Sequence, residues 1–171
     1  EKNTNNFDGI IGYVPPGKNE NSGYVTGLVN ISLRNLFGTG RAAAIKWNKY
    51  NRNSQELDLK YLEPWFLGFP VNINLSLNQR VQDTTYVQRK LEGALEYLAT
   101  EDISGSVMVA TETVVPTVRT NPVFTVYNSS YITTGLNLKI DTRDDPYSPT
   151  EGILFINSYA ITKKSINGPA E

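Results

Sequence analysis

Residues 70–78 read P-V-N-I-N-L-S-L-N, a strict alternation of apolar and polar positions. Val71, Ile73, Leu75 and Leu77 fall on one side, and Asn72, Asn74, Ser76 and Asn78 on the other. Successive side chains of a strand point to opposite faces, so the pattern predicts a strand with one apolar and one polar surface. Such a strand fits two environments. Its apolar face packs into a soluble core, or it meets lipid while the polar face lines an aqueous lumen.

The same period recurs along the chain. Residues 7–13 form a glycine-rich first strand, and residues 15–23 a polar loop. A second strand over 24–37 sets Val25, Gly27, Val29, Ile31 and Leu33 against Thr26, Asn30, Ser32 and Arg34. Gly38 and Gly40 then supply the positive φ of a tight turn. Third and fourth strands are predicted over 41–50 and from about 56 to Glu63, and the fifth is the stretch above, continued to about residue 81. Residues 87–97 alternate as well. Their Glu, Lys, Leu and Ala are good helix formers, but alternation explains more positions than a helical stripe does. Three further strands are expected over about 103–115, 130–141 and 152–163.

The sum is an all-β, antiparallel up-and-down meander of about nine strands. It occupies a single region, 1–171, with strands between about 7 and 163 and polar tails at 1–6 and 165–171. Three features lean towards lipid. Strands of about ten residues suit a membrane crossing. Turns at 38–40, 67–70 and 100–102 are shorter than those at 15–23, 51–55, 79–85 and 116–129, as in outer-membrane barrels. The aromatics Phe37, Trp65, Phe66, Phe69, Tyr97 and Tyr147 gather at the short-turn end, where amphipathic rings favour a membrane interface. The alternation alone still fits a soluble β-sandwich.

Composition narrows the chemistry. The 171 residues contain no histidine and no cysteine, which removes the usual zinc ligands, the usual general base and any Cys nucleophile. Sixteen basic and seventeen acidic residues leave a net charge of −1, so no basic surface points to nucleic acid. No apolar run reaches the roughly 18 residues of a membrane helix, and no signal segment opens the chain. No catalytic group, cofactor or resident metal is expected. The acidic cluster of Asp141, Asp144 and Asp145 fits a solvated turn better than a calcium site.

Three motifs resemble those of the bacterial surface-antigen family of outer-membrane assembly factors, the BamA/TamA type. Asn35-Leu36-Phe37-Gly38-Thr39-Gly40-Arg41 is similar to the family's N-x-F-G-T-G-R turn after its second barrel strand. Tyr61-Leu62-Glu63-Pro64-Trp65-Phe66 is similar to its Y-x-E-P-Y/W-F, and Asp141-Thr142-Arg143-Asp144-Asp145-Pro146 with Pro149, Thr150 and Gly152 to its D-x-R-D-x-P-x-x-P-T-x-G turn. Arg143 among three aspartates is placed to brace that turn by charge-assisted hydrogen bonds.

The resemblance implies the N-terminal half of a sixteen-stranded transmembrane β-barrel in the bacterial outer membrane. It implies a non-enzymatic assembly factor whose weakly held first strand templates the strands of nascent outer-membrane proteins. The matching lateral-gate strand contains Phe7, Gly9, Ile11, Gly12 and Tyr13. Expected partners are outer-membrane lipid, met by Val71, Ile73, Leu75 and Leu77, nascent outer-membrane proteins, and a missing barrel half or second copy at the open edges. The alternatives are a passive porin-like or secretion barrel and a soluble β-sandwich binding module. Mixed charges at Lys46, Glu56, Asp58, Lys60, Lys90, Glu92 and Glu96 on the polar face argue against strong ion selectivity.

Overall fold

In a computed structural model, residues 5–18, 21–83, 85–117, 126–145 and 147–167 are described. They form nine strands: β1 (Asn6–Val14), β2 (Tyr24–Leu36), β3 (Arg41–Lys49), β4 (Gln55–Glu63), β5 (Val71–Gln82), β6 (Tyr86–Leu98), β7 (Ile103–Pro116), β8 (Asn128–Asp141) and β9 (Leu154–Asn167). All belong to one antiparallel sheet in sequence order, so β1 and β9 are its two edges.

The register explains why alternation dominates the sequence. One ladder line joins Asp8, Asn30, Lys46, Asp58, Asn78, Lys90, Glu112, Tyr131 and Lys164 across all nine strands. The adjacent line joins Phe7, Ile31, Ile45, Leu59, Leu77, Leu91, Thr111, Ile132 and Lys163. A one-residue step therefore exchanges a polar face for a largely apolar one.

The sheet is a single layer. Among the described residues Ala110 is the one buried hydrophobic side chain, while Leu91, Leu95, Leu136 and Ile161 stand mostly exposed on the apolar face. A β-sandwich buries that face against a second sheet, and no second sheet is present among the described residues. The polar face is instead tied by its own side chains. Asn78 donates to Asp58 at 2.6 Å, Gln88 to Glu112 at 2.8 Å and Asn72 to Glu96 at 3.1 Å.

Several expected boundaries move. Residues 87–97, open to a helical reading, lie in strand β6, paired on both sides by β5 and β7. Two flanking ladders outweigh local helix propensity there. β9 continues past residue 163, and Ser165, Ile166 and Asn167, expected in an unstructured tail, pair with Ser130, Ser129 and Asn128. Backbone pairing needs no apolar side chain, so a polar sequence does not end it. Residues 1–4 and 168–171 of the expected tails lie outside the described residues.

The regular alternation of short turns and long loops is not observed. β5 and β6 are joined by residues 83–85 alone, whereas 142–153 connect β8 to β9 at the rim expected to carry short turns. The reason is that β5 and β6 stay paired to Gln82 and Tyr86, absorbing residues that look like loop in sequence. The aromatic cluster does hold together: Phe37, Trp65, Phe66, Phe69, Tyr97 and Tyr147 all lie at this rim or in its connections.

Candidate functional site: the free first strand and the coupled turns

Among the described residues β1 is held on one side only, by nine pairings to β2 running from Asn6 with Ser32 to Val14 with Tyr24. Every β1 residue is exposed. Phe7, Gly9, Ile11 and Tyr13 share the apolar face with Ile31, Val29, Gly27 and Val25, while Gly12 lies on the other face opposite Thr26. The far edge differs: β9 pairs with β8 over fourteen residues, against nine for β1. A strand with few pairings and two glycines is the weaker edge.

The turn after β2 needs more than its glycines. Positive φ occurs at Gly38 and Gly40, as expected, and also at Asn35 (53°) and Phe37 (56°). Asn35 stabilises this geometry twice. Its carbonyl accepts from Gly38 N at 3.0 Å and its side-chain Oδ1 from Gly40 N at 2.8 Å. Asparagine tolerates the left-handed region because its short polar side chain bonds locally. Phe37 is left almost wholly exposed, at 92%.

The turn after β4 follows the same logic. Pro64 brings no N–H, and pairing with β5 ends at Glu63 with Ile73. Trp65 and Leu67 then take positive φ, one on each side of Phe66, so the short turn Phe66–Gly68 is not a regular helical one. Asn72 accepts from the Trp65 N–H at 3.3 Å.

These two motifs, separate in sequence, form one unit. Arg41 Nε donates to both carboxylate oxygens of Glu63, at 2.9 and 2.8 Å, and the Tyr61 hydroxyl donates to Glu63 Oε2 at 2.5 Å. A Cβ at Gly40 would stand 3.3 Å from the Pro64 ring. Arg41, Tyr61, Glu63 and Pro64, with Trp65, Leu67 and Ile73, line an open groove of about 650 Å³ on the apolar face at the rim.

The third motif braces the connection from β8 to β9. Arg143 donates to Asp141 through Nε at 2.7 Å and Nη2 at 3.0 Å, and Lys139 adds an ion pair at 3.1 Å. Asp144 does not face Arg143 in this network. It accepts from Thr150 N at 3.0 Å, Thr150 Oγ1 at 2.6 Å and Glu151 N at 3.1 Å. Those bonds hold its carboxyl well below the usual carboxylate range, the Thr150 hydroxyl contributing most. Asp145 caps Tyr147 N and Ser148 N, which also lowers its pKa. Pro149 is exposed within the turn. Gly152 closes it at φ 93°, with a virtual Cβ overlapping the Thr142 carbonyl. Among the described residues no three acidic side chains form a set able to hold a metal ion.

Val71, Ile73, Leu75 and Leu77 lie on the apolar face, opposite Tyr97, Leu95, Gly93 and Leu91 of β6. The pattern of residues shows which face each occupies. It does not reveal the caps at Asn35 and Asn72 or the Arg41–Glu63 pair, whose partners are 22 positions apart.

A one-layer, two-faced antiparallel meander with braced turns at one rim defines a segment of β-barrel wall. The chain belongs to the Omp85 superfamily: residues 35–168 match the Omp85 superfamily domain, which bears out the resemblance carried by the three motifs. Among solved structures, the crystal structure of BamA from Haemophilus ducreyi lacking POTRA domains 1–3 is similar in fold, with a TM-score of 0.54 at 17% identity. The match covers 98% of this chain and 35% of that one, so this chain spans about a third of the similar structure. No curated protein matches. Membership of this superfamily points to the bacterial outer membrane.

Proposed function

We propose that this chain is the leading part of an outer-membrane assembly barrel, and that β1 is its working edge. The observation that carries the reading is the state of β1: a nine-residue edge strand, exposed throughout and, among the described residues, paired only to β2. Its outer backbone N–H and C=O groups are a template for an incoming strand. Phe7, Gly9, Ile11, Gly12 and Tyr13 form this gate. An incoming strand of a nascent outer-membrane protein adds to it by backbone hydrogen bonds, without covalent chemistry.

In this reading the apolar face of the sheet, Val71, Ile73, Leu75 and Leu77 included, meets outer-membrane lipid, and the polar face lines the lumen. The motif turns hold the rim in shape. β9 is the edge to which the rest of the barrel, or a second copy, pairs. Residues 1–171 act as one barrel region.

The test is site-specific crosslinking in the full-length protein within its own membrane. Cysteine placed at Gly12 or Ile10 is expected to trap nascent barrel proteins carrying cysteine in their terminal strands, while cysteine at Asn157 on β9 is not. Equal trapping at both edges, or none at either, overturns edge templating by β1.

A further inference from the structure

The groove at the turn rim has a composition that barrel packing alone does not require. Its floor is an ion pair on the apolar face. Arg41 and Glu63 are 2.8 Å apart, and their side chains keep 40% and 21% of their exposure. On β3 the apolar positions Ala43, Ile45 and Trp47 follow Arg41 directly on this face, so the pair marks the lower limit of the apolar band. The wall beside it consists of exposed rings and aliphatics, with Trp65 at 58% and Leu67 at 78%. Trp65 and Leu67 hold those positions in left-handed backbone, a conformation that costs free energy for side chains of their size.

Both hydrogen bonds from Arg41 to Glu63 leave from Nε, so neither Nη group is used by Glu63. Glu63 meets Arg41 and Tyr61 from one side. The groove thus presents one positive and one negative group side by side, with an apolar wall leading into the band.

We propose that this groove seats the headgroup of a phosphoethanolamine phospholipid. Its phosphate meets the Arg41 guanidinium, its ammonium meets the Glu63 carboxylate, and its acyl chains run over Ile73 and Leu75. Charge complementarity selects this occupant. A zwitterion with N–H donors satisfies both ends of the pair, a phosphocholine lacks the donors for Glu63, and an anionic phosphoglycerol leaves Glu63 facing added negative charge. The proposal rests on the reading of the apolar face as lipid-facing.

The experiment is native mass spectrometry of the full-length protein released from bilayers holding phosphoethanolamine, phosphocholine and phosphoglycerol lipids of identical chains. The wild-type protein is expected to retain phosphoethanolamine about fivefold over phosphoglycerol, since one interfacial charge contributes roughly 1 kcal/mol, with phosphocholine between them. Glu63→Gln should turn the order towards phosphoglycerol, and Arg41→Gln, which leaves the Glu63 carboxylate without its cation, should lower retention of all three lipids, phosphoglycerol most. Retention of the three lipids alike by wild-type protein overturns the proposal, as does an unchanged order in folded Glu63→Gln. Folding is read first from heat-dependent gel mobility. If either variant fails to fold, the wild-type lipid order decides alone. Failure of wild-type protein to enter the bilayer is a different result and removes the membrane reading itself.

Discussion

Gly27 of β2 lies opposite Ile11 of β1, and a β-carbon on Gly27 would stand 2.5 Å from the carbonyl oxygen of Ile10. The first strand can approach its one partner here because that partner carries no side chain. Gly27→Ala is expected to push β1 outward. An over-packed contact of this kind costs typically 1–3 kcal/mol, a large share of what a nine-residue edge has to hold it. Amide hydrogen exchange across residues 6–14 should quicken at least about fivefold while β5 to β8 stay unchanged. Unchanged protection of β1 would show that the backbone absorbs the methyl group without loss of pairing.

Leu75 and Asn74 are neighbours in β5 on opposite faces, paired to Gly93 and Ala94. Leu75→Arg sets a cation on the apolar face and is expected to cost about 2–4 kcal/mol of membrane stability if that position lies near the bilayer midplane. Asn74→Arg sets the same cation on the polar face and should be tolerated. Folding titrations into lipid vesicles compare the two. Equal losses would exclude lipid on one face and water on the other.

The Asp144 carboxylate gives the β8–β9 turn a defined pH response. Its folded pKa is depressed by hydrogen bonds from Thr150 and Glu151. Its contribution is therefore complete above the unfolded value of about 3.9 and is lost as pH falls through that value towards the folded one. Thermal unfolding of wild type and Asp144→Asn should differ at pH 7 by a fixed interval, and the interval should shrink below about pH 4. A gap constant down to strongly acid pH would show that the ionised carboxylate has no part in the turn.

Lys60 separates the assembly reading from the channel reading. It lies on the polar face, level with Ser76 and Ala44, with β2 and β3 between its strand and β1. Lys60→Glu is expected to leave assembly of client barrels within about twofold of wild type, because an exposed charge away from the templating edge perturbs folding by less than about 0.5 kcal/mol. A marked change in planar-bilayer conductance with assembly untouched would favour a porin-like role.

Much of this architecture is visible in particular residues of the sequence. The alternation through residues 70–78 assigns Val71 to Leu77 to one face because side chains of a strand alternate whatever lies beside them. Nine such segments in succession, with Gly38 and Gly40 or Pro64 between them, suffice for an antiparallel meander. Where the pattern misled, the cause is the ladder. Ser165 to Asn167 read as tail but pair with β8, and residues 79–82 read partly as loop but pair with β6. Backbone hydrogen bonds are indifferent to the side chains that mark a loop in sequence.

The succession of strands, the two faces and the positive φ at Gly38 and Gly40 are legible in the sequence, because each depends on residues within one or two positions of each other. The arrangement of strands in space, not the local pattern, makes the sheet one uncovered layer and holds β1 from a single side among the described residues, and it joins the motif around Gly40 to the motif around Pro64 through Arg41 and Glu63. Those relations depend on which strands become neighbours and in what register. An ion pair between residues 22 positions apart comes into being when β3 and β4 align and bring their ends to one rim.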